Sequence, residues 1–203
     1  MLACRSMINL ASFLPLTRVL AYTSQQQREY WAAYLAGRTV QRNGSRVKRA
    51  REHLHAAFPE VGKEQIQLWL SAHFIHRYRQ LLNLAWLRYA PIRAVCDSVT
   101  SSDGVELLKS YSSRGRGVIV ATPHFGDWER FNLVMGTHVD AAVLYKPSTS
   151  QAADRWLCDL RQRTGVQALP VGRQAIREVY RRLSQGGIVG ILPDQVPGRA
   201  GGL

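Results

Sequence analysis

From Arg116 onward short apolar runs alternate with amphipathic stretches, and this alternation constrains the fold more than any other feature of the chain. The apolar runs read as strands at Val118–Ala121, Ala141–Tyr145, Val166–Leu169 and Ile188–Leu192. The stretches between them read as helices at Asp127–Met135, Gln151–Thr164 and Gln174–Leu183. Strand, helix, strand at this spacing demands right-handed crossovers and therefore a largely parallel sheet. Gly136, Gly165 and Gly186 stand where helix C-caps belong. There is no repeat of fixed period and no low-complexity segment.

The first ninety or so residues have a different character, and the composition divides near Pro91. Between Arg38 and Arg51 lie six basic residues and no acid, while Val47, Ala50, Leu54 and Ala57 recur at helical spacing before Pro59. This predicts an amphipathic helix with a cationic back. A second helix is expected from Lys63 to Tyr89, with a stripe of Ile66, Leu70, Phe74, Tyr78, Leu81 and Ala85, ended by Pro91. His73 and His76 sit one turn apart on it, but no Cys, Asp or Glu accompanies them at ligand spacing, so they read as polar or half-buried side chains and no metal is expected. The expected fold class is α/β, with N-terminal helices packed on a largely parallel sheet with βαβ crossovers. The expected division is a membrane-interface segment over 1–35 and one domain over 36–203, helical to 91 and α/β beyond.

Twenty-seven basic against fourteen acidic side chains, a formal charge of +13, imply an anionic partner: nucleic acid, phospholipid headgroups or an acidic carrier protein. Hydrophobic residues make up 46% of the chain, as in an ordinary globular protein, so disorder is not indicated. Cys4, Cys96 and Cys158 are scattered without Cys-x-x-Cys spacing and read as reduced thiols, so Asn43-Gly44-Ser45 is not expected to carry a glycan. No window reaches the roughly 18 to 20 apolar residues of a membrane span. The nearest, Met7 to Tyr22, is interrupted by Asn9, Pro15, Thr17 and Arg18 and reads as an interfacial segment, with a signal peptide as the competing reading. Tyr30, Trp31 and Tyr34 follow as candidate headgroup-level anchors.

In a parallel sheet the residues just beyond the strands' carboxyl ends converge on one edge. Here the first strand leads to His124 and Glu129, the second to Lys146-Pro147, the third to Pro170-Val171-Gly172-Arg173, and the fourth to Pro193-Asp194-Gln195. That inventory is a base with an acid, two cations, and a carboxylate with an amide. A histidine activates an alcohol by accepting its proton, and needs a partner that fixes its tautomer and stabilises the imidazolium. Glu129, five positions on, is the expected orienter and Asp127 its rival. The helix amino terminus beside Gly126 would offer amides and a positive dipole to an oxyanion or phosphate. No Gly-x-Ser-x-Gly elbow, phosphate-binding loop or Gly-x-Gly-x-x-Gly occurs, so serine hydrolase, nucleotide hydrolase and dinucleotide readings have no support.

The segment Thr122-Pro123-His124-Phe125-Gly126-Asp127-Trp128-Glu129 resembles the histidine, four residues, acid motif of glycerolipid acyltransferases, and in particular the bacterial lipid A biosynthesis acyltransferase family. Tyr145-Lys146-Pro147 is similar to that family's Tyr-Arg-Pro block, and Leu192-Pro193-Asp194-Gln195 with Pro197-Gly198 to its Asp-Gln or Asp-His block. Phe58-Pro59 matches a Phe-Pro that precedes the site in the family. The resemblance implies a membrane-associated enzyme at the cytoplasmic face of the cell inner membrane, without a cofactor. In it His124, oriented by Glu129, deprotonates a hydroxyl of a lipid A precursor, which attacks the thioester of an acyl carrier protein or coenzyme A donor. It further implies that Lys146 and Arg173 hold phosphate or the oxyanion, that Asp194 orients or closes the site, and that Asp127 and Gln195 contact substrate. Three departures stand out. Lys146 replaces the arginine, the amino-terminal apolar segment is short, and the family continues for about a hundred residues past the corresponding block.

Two other readings stay open on the residues. Another phospholipid or aminolipid acyltransferase would use the same base, with acceptor choice set by pocket shape. A basic nucleic-acid binding module would use the Arg38 to Arg51 segment, but no recognition motif is present and the loaded sheet edge is left unexplained, so nucleic acid is not the expected partner.

Overall fold

The structure, a computed structural model, describes residues 13–101 and 103–194. They divide into a helical unit, Thr17–Tyr89, and an α/β unit that runs from Ala90 onward and includes the 3₁₀ turn Leu14–Leu16. The segment boundary expected at residue 35 falls inside a helix. Cys4 and residues 7–12 of the Met7 to Tyr22 run lie outside the described residues.

The helical unit comprises α1 (Thr17–Ala21), α2 (Gln25–Arg42), α3 (Ser45–Ala57) and α4 (Lys63–Tyr89). A capping box starts α2: the Ser24 hydroxyl accepts from the Gln27 amide at 3.2 Å, and the Gln27 side chain accepts from the Ser24 amide at 2.7 Å. Asn43, left-handed at φ 46°, ends α2, so the basic run from Arg38 to Arg51 is broken into two helices. Of the four apolar positions expected on the inner face of the second, only Val47 is fully buried. All three other helices pack against α4. It buries Ile66, Leu70, Phe74, Tyr78, Leu82, Ala85 and Leu87. The expected stripe is corrected at one place: four residues on from Tyr78 is Leu82, and Leu81 is only half-buried. Buried Arg28 donates from Nε to Asn83 Oδ1 at 3.1 Å and lies 5.2 Å over the Trp86 ring. His73 stacks edge-on against Phe74, and burial, with Arg77 and His76 nearby, lowers its pKa.

The α/β unit contains α5 (Ile92–Asp97), α6 (Asp103–Ser112), β1 (Val118–Ala121), α7 (Trp128–Gly136), β2 (Ala141–Tyr145), α8 (Gln151–Gln162), β3 (Gln167–Pro170), α9 (Arg173–Ser184) and β4 (Ile188–Ile191). The four strands form one parallel sheet in the order β1-β4-β2-β3, as the alternation predicts. Helices α5 and α6, before the first strand, were not read from the sequence. Successive residues of β2 point to opposite faces. Ala141 joins Met135 of α7, Ile188 and Leu108 of α6 on one side, and Ala142 joins Leu169 with Ala175 and Val179 of α9 on the other. The sheet is therefore covered on both faces, as its apolar strands require.

Gly165 and Gly186 take positive φ after α8 and α9, in keeping with C-caps. Gly136 does not. It is the last residue of α7, and a Cβ there would meet Thr164 Oγ1 and Val166 Cγ2, each at 2.5 Å, so its role is close packing.

Truncating Leu82 removes a buried side chain and should destabilise the helical unit by about 2–5 kcal/mol, against about 1 kcal/mol or less for Leu81→Ala. Chemical denaturation followed by circular dichroism checks the difference. Equal effects would contradict the assignment of the inner face.

Candidate active site

Parallel strands leave their carboxyl ends on one edge, and here β1 and β4 are immediate neighbours. The ladder runs one step past the strand, with the Thr122 amide donating to the Ile191 carbonyl at 3.0 Å. Two residues later His124 leaves β1, and three residues after Ile191 comes Asp194. The two meet. Asp194 Oδ1 lies 2.7 Å from His124 Nδ1, and Asp194 Oδ2 accepts from the His124 backbone amide at 2.8 Å. One carboxylate therefore holds both the ring and the main chain of this residue. Both side chains are about one-third exposed, so the pair is reachable from solvent. The Trp128 indole packs edge-on to the imidazole with ring centres 5.5 Å apart. Gly126, at φ 65°, supplies the reversal between the histidine and α7.

This corrects the expected partnership. Glu129 is not the carboxylate on His124. It occupies the second position of α7, on the face that also buries Asn132 and Leu133, and its side chain is 5% exposed. A side chain on that face points toward α8, where Arg161 receives it. Arg161 Nη2 donates to Glu129 Oε1 at 2.5 Å and Nε to Oε2 at 3.0 Å, a two-pronged pair. Asp127 is not the orienter either: it caps α7, accepting from the Arg130 amide at 3.3 Å, and pairs with the Arg130 guanidinium at 3.3 Å.

Lys146 directly follows β2 and is exposed. The Val171 amide donates to the Tyr145 carbonyl at 2.9 Å, which carries the β2–β3 register to the strand ends. Arg173, exposed, opens α9 just after β3. Both cations thus stand on the same edge as the His124–Asp194 pair, Lys146 one strand from Asp194 and Arg173 two strands away. Gln195 lies outside the described residues. Among the described residues no group of three or more His, Cys, Asp or Glu side chains could hold a metal ion, and Cys96 and Cys158 are unpaired thiols.

Arg161 was missed in the sequence. The signal was present, since it falls on the inner stripe of α8 with Ala153 and Leu160, and a charge on an apolar stripe calls for a buried partner. Its guanidinium lies 5.1 Å from the Tyr145 ring centre. The Tyr145 hydroxyl donates to Asp154 Oδ2 at 3.1 Å and lies 3.3 Å from Cys158 Sγ. Burial, and then these two neighbours, push the phenol well above its ordinary range. Burial works against the Arg161 charge, but Glu129 outweighs it and the guanidinium is held more firmly protonated than in water.

Residues 14–203 match the family model described as bacterial lipid A biosynthesis acyltransferase. Over 152 residues the chain is 27% identical to the lipid A biosynthesis palmitoleoyltransferase of Escherichia coli (strain K12), and likewise to the lipid A biosynthesis acyltransferase of Shigella flexneri. Each alignment covers 75% of this chain and 49% of the relative, so the aligned part is about half the length of the curated relatives it matches.

The hydrogen bonds from the His124 ring and then its amide hold the Asp194 carboxyl below the usual carboxylate range. A carboxyl depressed on folding contributes stability above its unfolded value of about 3.9, and that contribution is lost as pH falls through the depressed folded value. Carbon-detected NMR titration of Asp194 should therefore give a midpoint below about 3.9 in the wild type that rises toward it in His124→Ala. An unchanged midpoint would show that the two groups are not bonded.

Proposed function

Because the chain belongs to the bacterial lipid A biosynthesis acyltransferase family, we propose that it transfers a fatty acyl chain from a thioester of acyl carrier protein or coenzyme A to a hydroxyl of a lipid A precursor, at the cytoplasmic face of the inner membrane. The observation that carries this reading is the 2.7 Å contact of His124 Nδ1 with Asp194 on the open sheet edge. With Nδ1 committed to the carboxylate, Nε2 is the nitrogen that takes the acceptor's proton. The acceptor oxygen then forms its bond to the thioester carbonyl carbon. The resulting oxyanion collapses, the C–S bond breaks, and the thiolate recovers the proton from Nε2. No covalent acyl-enzyme is required.

Asp194 stabilises the imidazolium that exists between these two transfers and holds the tautomer that starts them, the service a carboxylate gives in hydrolytic triads. The first turn of α7 and the exposed cations Lys146 and Arg173 serve the oxyanion and the acceptor's phosphate. Lys146 does so as a point charge, since an ammonium lacks the fork of the arginine in the family's block. Glu129 acts one step back from the chemistry, as a buried anion matched by Arg161.

Membrane contact is proposed for the exposed aromatic group of α2, where Tyr30, Trp31 and Tyr34 pack edge-to-face with ring centres 5.6 and 5.7 Å apart. The formal charge of +13 supports attraction to anionic headgroups, worth about 1 kcal/mol per basic residue near the surface. Among the described residues no helix is long and apolar enough to cross a membrane.

Acyl transfer from labelled acyl carrier protein and from acyl coenzyme A to lipid A precursors, measured in detergent micelles, tests the chemistry. His124→Ala should lower kcat by about 10² or more. Asp194→Asn should lower it by at least about tenfold, because the charge that stabilises the imidazolium is gone. Full activity in either variant, or a wild type that acylates none of these acceptors, contradicts the reading. For the surface, salt-sensitive binding to anionic vesicles should exceed binding to RNA, and Trp31→Ala with Tyr34→Ala should weaken it. Preference for RNA would overturn the membrane assignment.

A further inference from the structure

The Glu129–Arg161 pair is expensive to build. Both side chains are more than nine-tenths buried, and Arg161 Nη1 is buried without a hydrogen-bond partner among the described residues. Burying two charges and leaving a donor unmatched is a poor route to stability, because desolvation offsets much of the attraction. What the pair does provide is geometry. A two-pronged guanidinium–carboxylate contact fixes distance and plane together, and this one joins two elements that bear directly on the site.

Glu129 stands next to Trp128, whose indole abuts the His124 ring, so holding Glu129 holds the first turn of α7 against the imidazole. On the other side the Arg161 guanidinium lies on Tyr145, the last residue of β2 and the one before Lys146. Tyr145 in turn is tied to Asp154, which accepts from the Ser148 amide at 2.8 Å and so sets the turn that follows Lys146. From a single guanidinium, contacts thus lead to the support of the base and to the support of the nearest cation on the sheet edge.

We propose that Arg161 is a positioning residue of this site, clamping Glu129 and Tyr145 so that His124 and Lys146 are held in one fixed relation across the edge. The inference rests on the acyltransferase reading only for its kinetic arm. Displacements of about an ångström in a reacting group suffice for losses of 10².

Arg161→Lys keeps the charge and removes the fork. It should remain folded, lose at least about tenfold in kcat and change the donor KM by less than about threefold, since neither His124 nor Lys146 is assigned to donor binding. Arg161→Met leaves Glu129 buried and unmatched, and is expected to fold poorly. Glu129→Gln combined with Arg161→Met removes both charges and should recover the fold while kcat stays low. The independent arm is the ¹H–¹⁵N spectrum of the His124 ring in Arg161→Lys, in which the Nδ1 proton bonded to Asp194 should shift and broaden. A wild-type kcat in Arg161→Lys or in the double variant, or an unmoved ring signal, would reduce the pair to a stability element and overturn the proposal. A wild type without acyl transfer but with a shifted ring signal in Arg161→Lys would sink the enzymatic reading and leave the positioning role standing.

Discussion

The arrangement of the site depends on the insertion of β4 between β1 and β2. Adjacent parallel strands run about 4.8 Å apart, so residues the same short distance past their carboxyl ends are within side-chain reach. His124 and Asp194, separated by seventy positions, become neighbours for that reason alone. With β4 paired away from β1, the carboxylate would face a different element and the imidazole would lose it as a partner. The tautomer of the histidine follows from this adjacency, and the helices on both faces of the sheet maintain it.

The alternation of apolar and amphipathic segments was enough to read the parallel sheet and to place all four strands within a residue of where they lie. It was also enough to collect His124, Lys146, Arg173 and Asp194 on one edge, because that follows from direction and not from order. Strand order itself was hidden. Nothing in the local pattern of Ile188–Ile191 says that it inserts beside β1, so the sequence points to a nearby acid, Glu129, as the orienter in place of the acid closest in space. The same locality explains Gly136, whose closeness to Thr164 and Val166 is a property of packing between distant segments. In the helical unit, Leu81 and Leu82 differ by one position on a stripe, and only the contacts of α4 decide which of them faces inward.

Two carboxylates of similar chemistry are thereby assigned to different tasks by their surroundings. Asp194, partly exposed and bonded to an imidazole, remains ionised well into acid and can answer a charge that comes and goes. Glu129, enclosed and matched to a fixed guanidinium, has a partner whose charge does not change at any pH of interest.

The imidazole of His124 is held through Nδ1 by Asp194, which leaves Nε2 as the nitrogen proposed to take the acceptor's proton. Nitrogen-15 NMR of the neutral ring reports its tautomer directly. A protonated Nδ1 and an unprotonated Nε2 are expected, with this preference lost in Asp194→Asn and retained in Glu129→Gln. A ring protonated at Nε2, or one whose tautomer follows Glu129 and ignores Asp194, would contradict it.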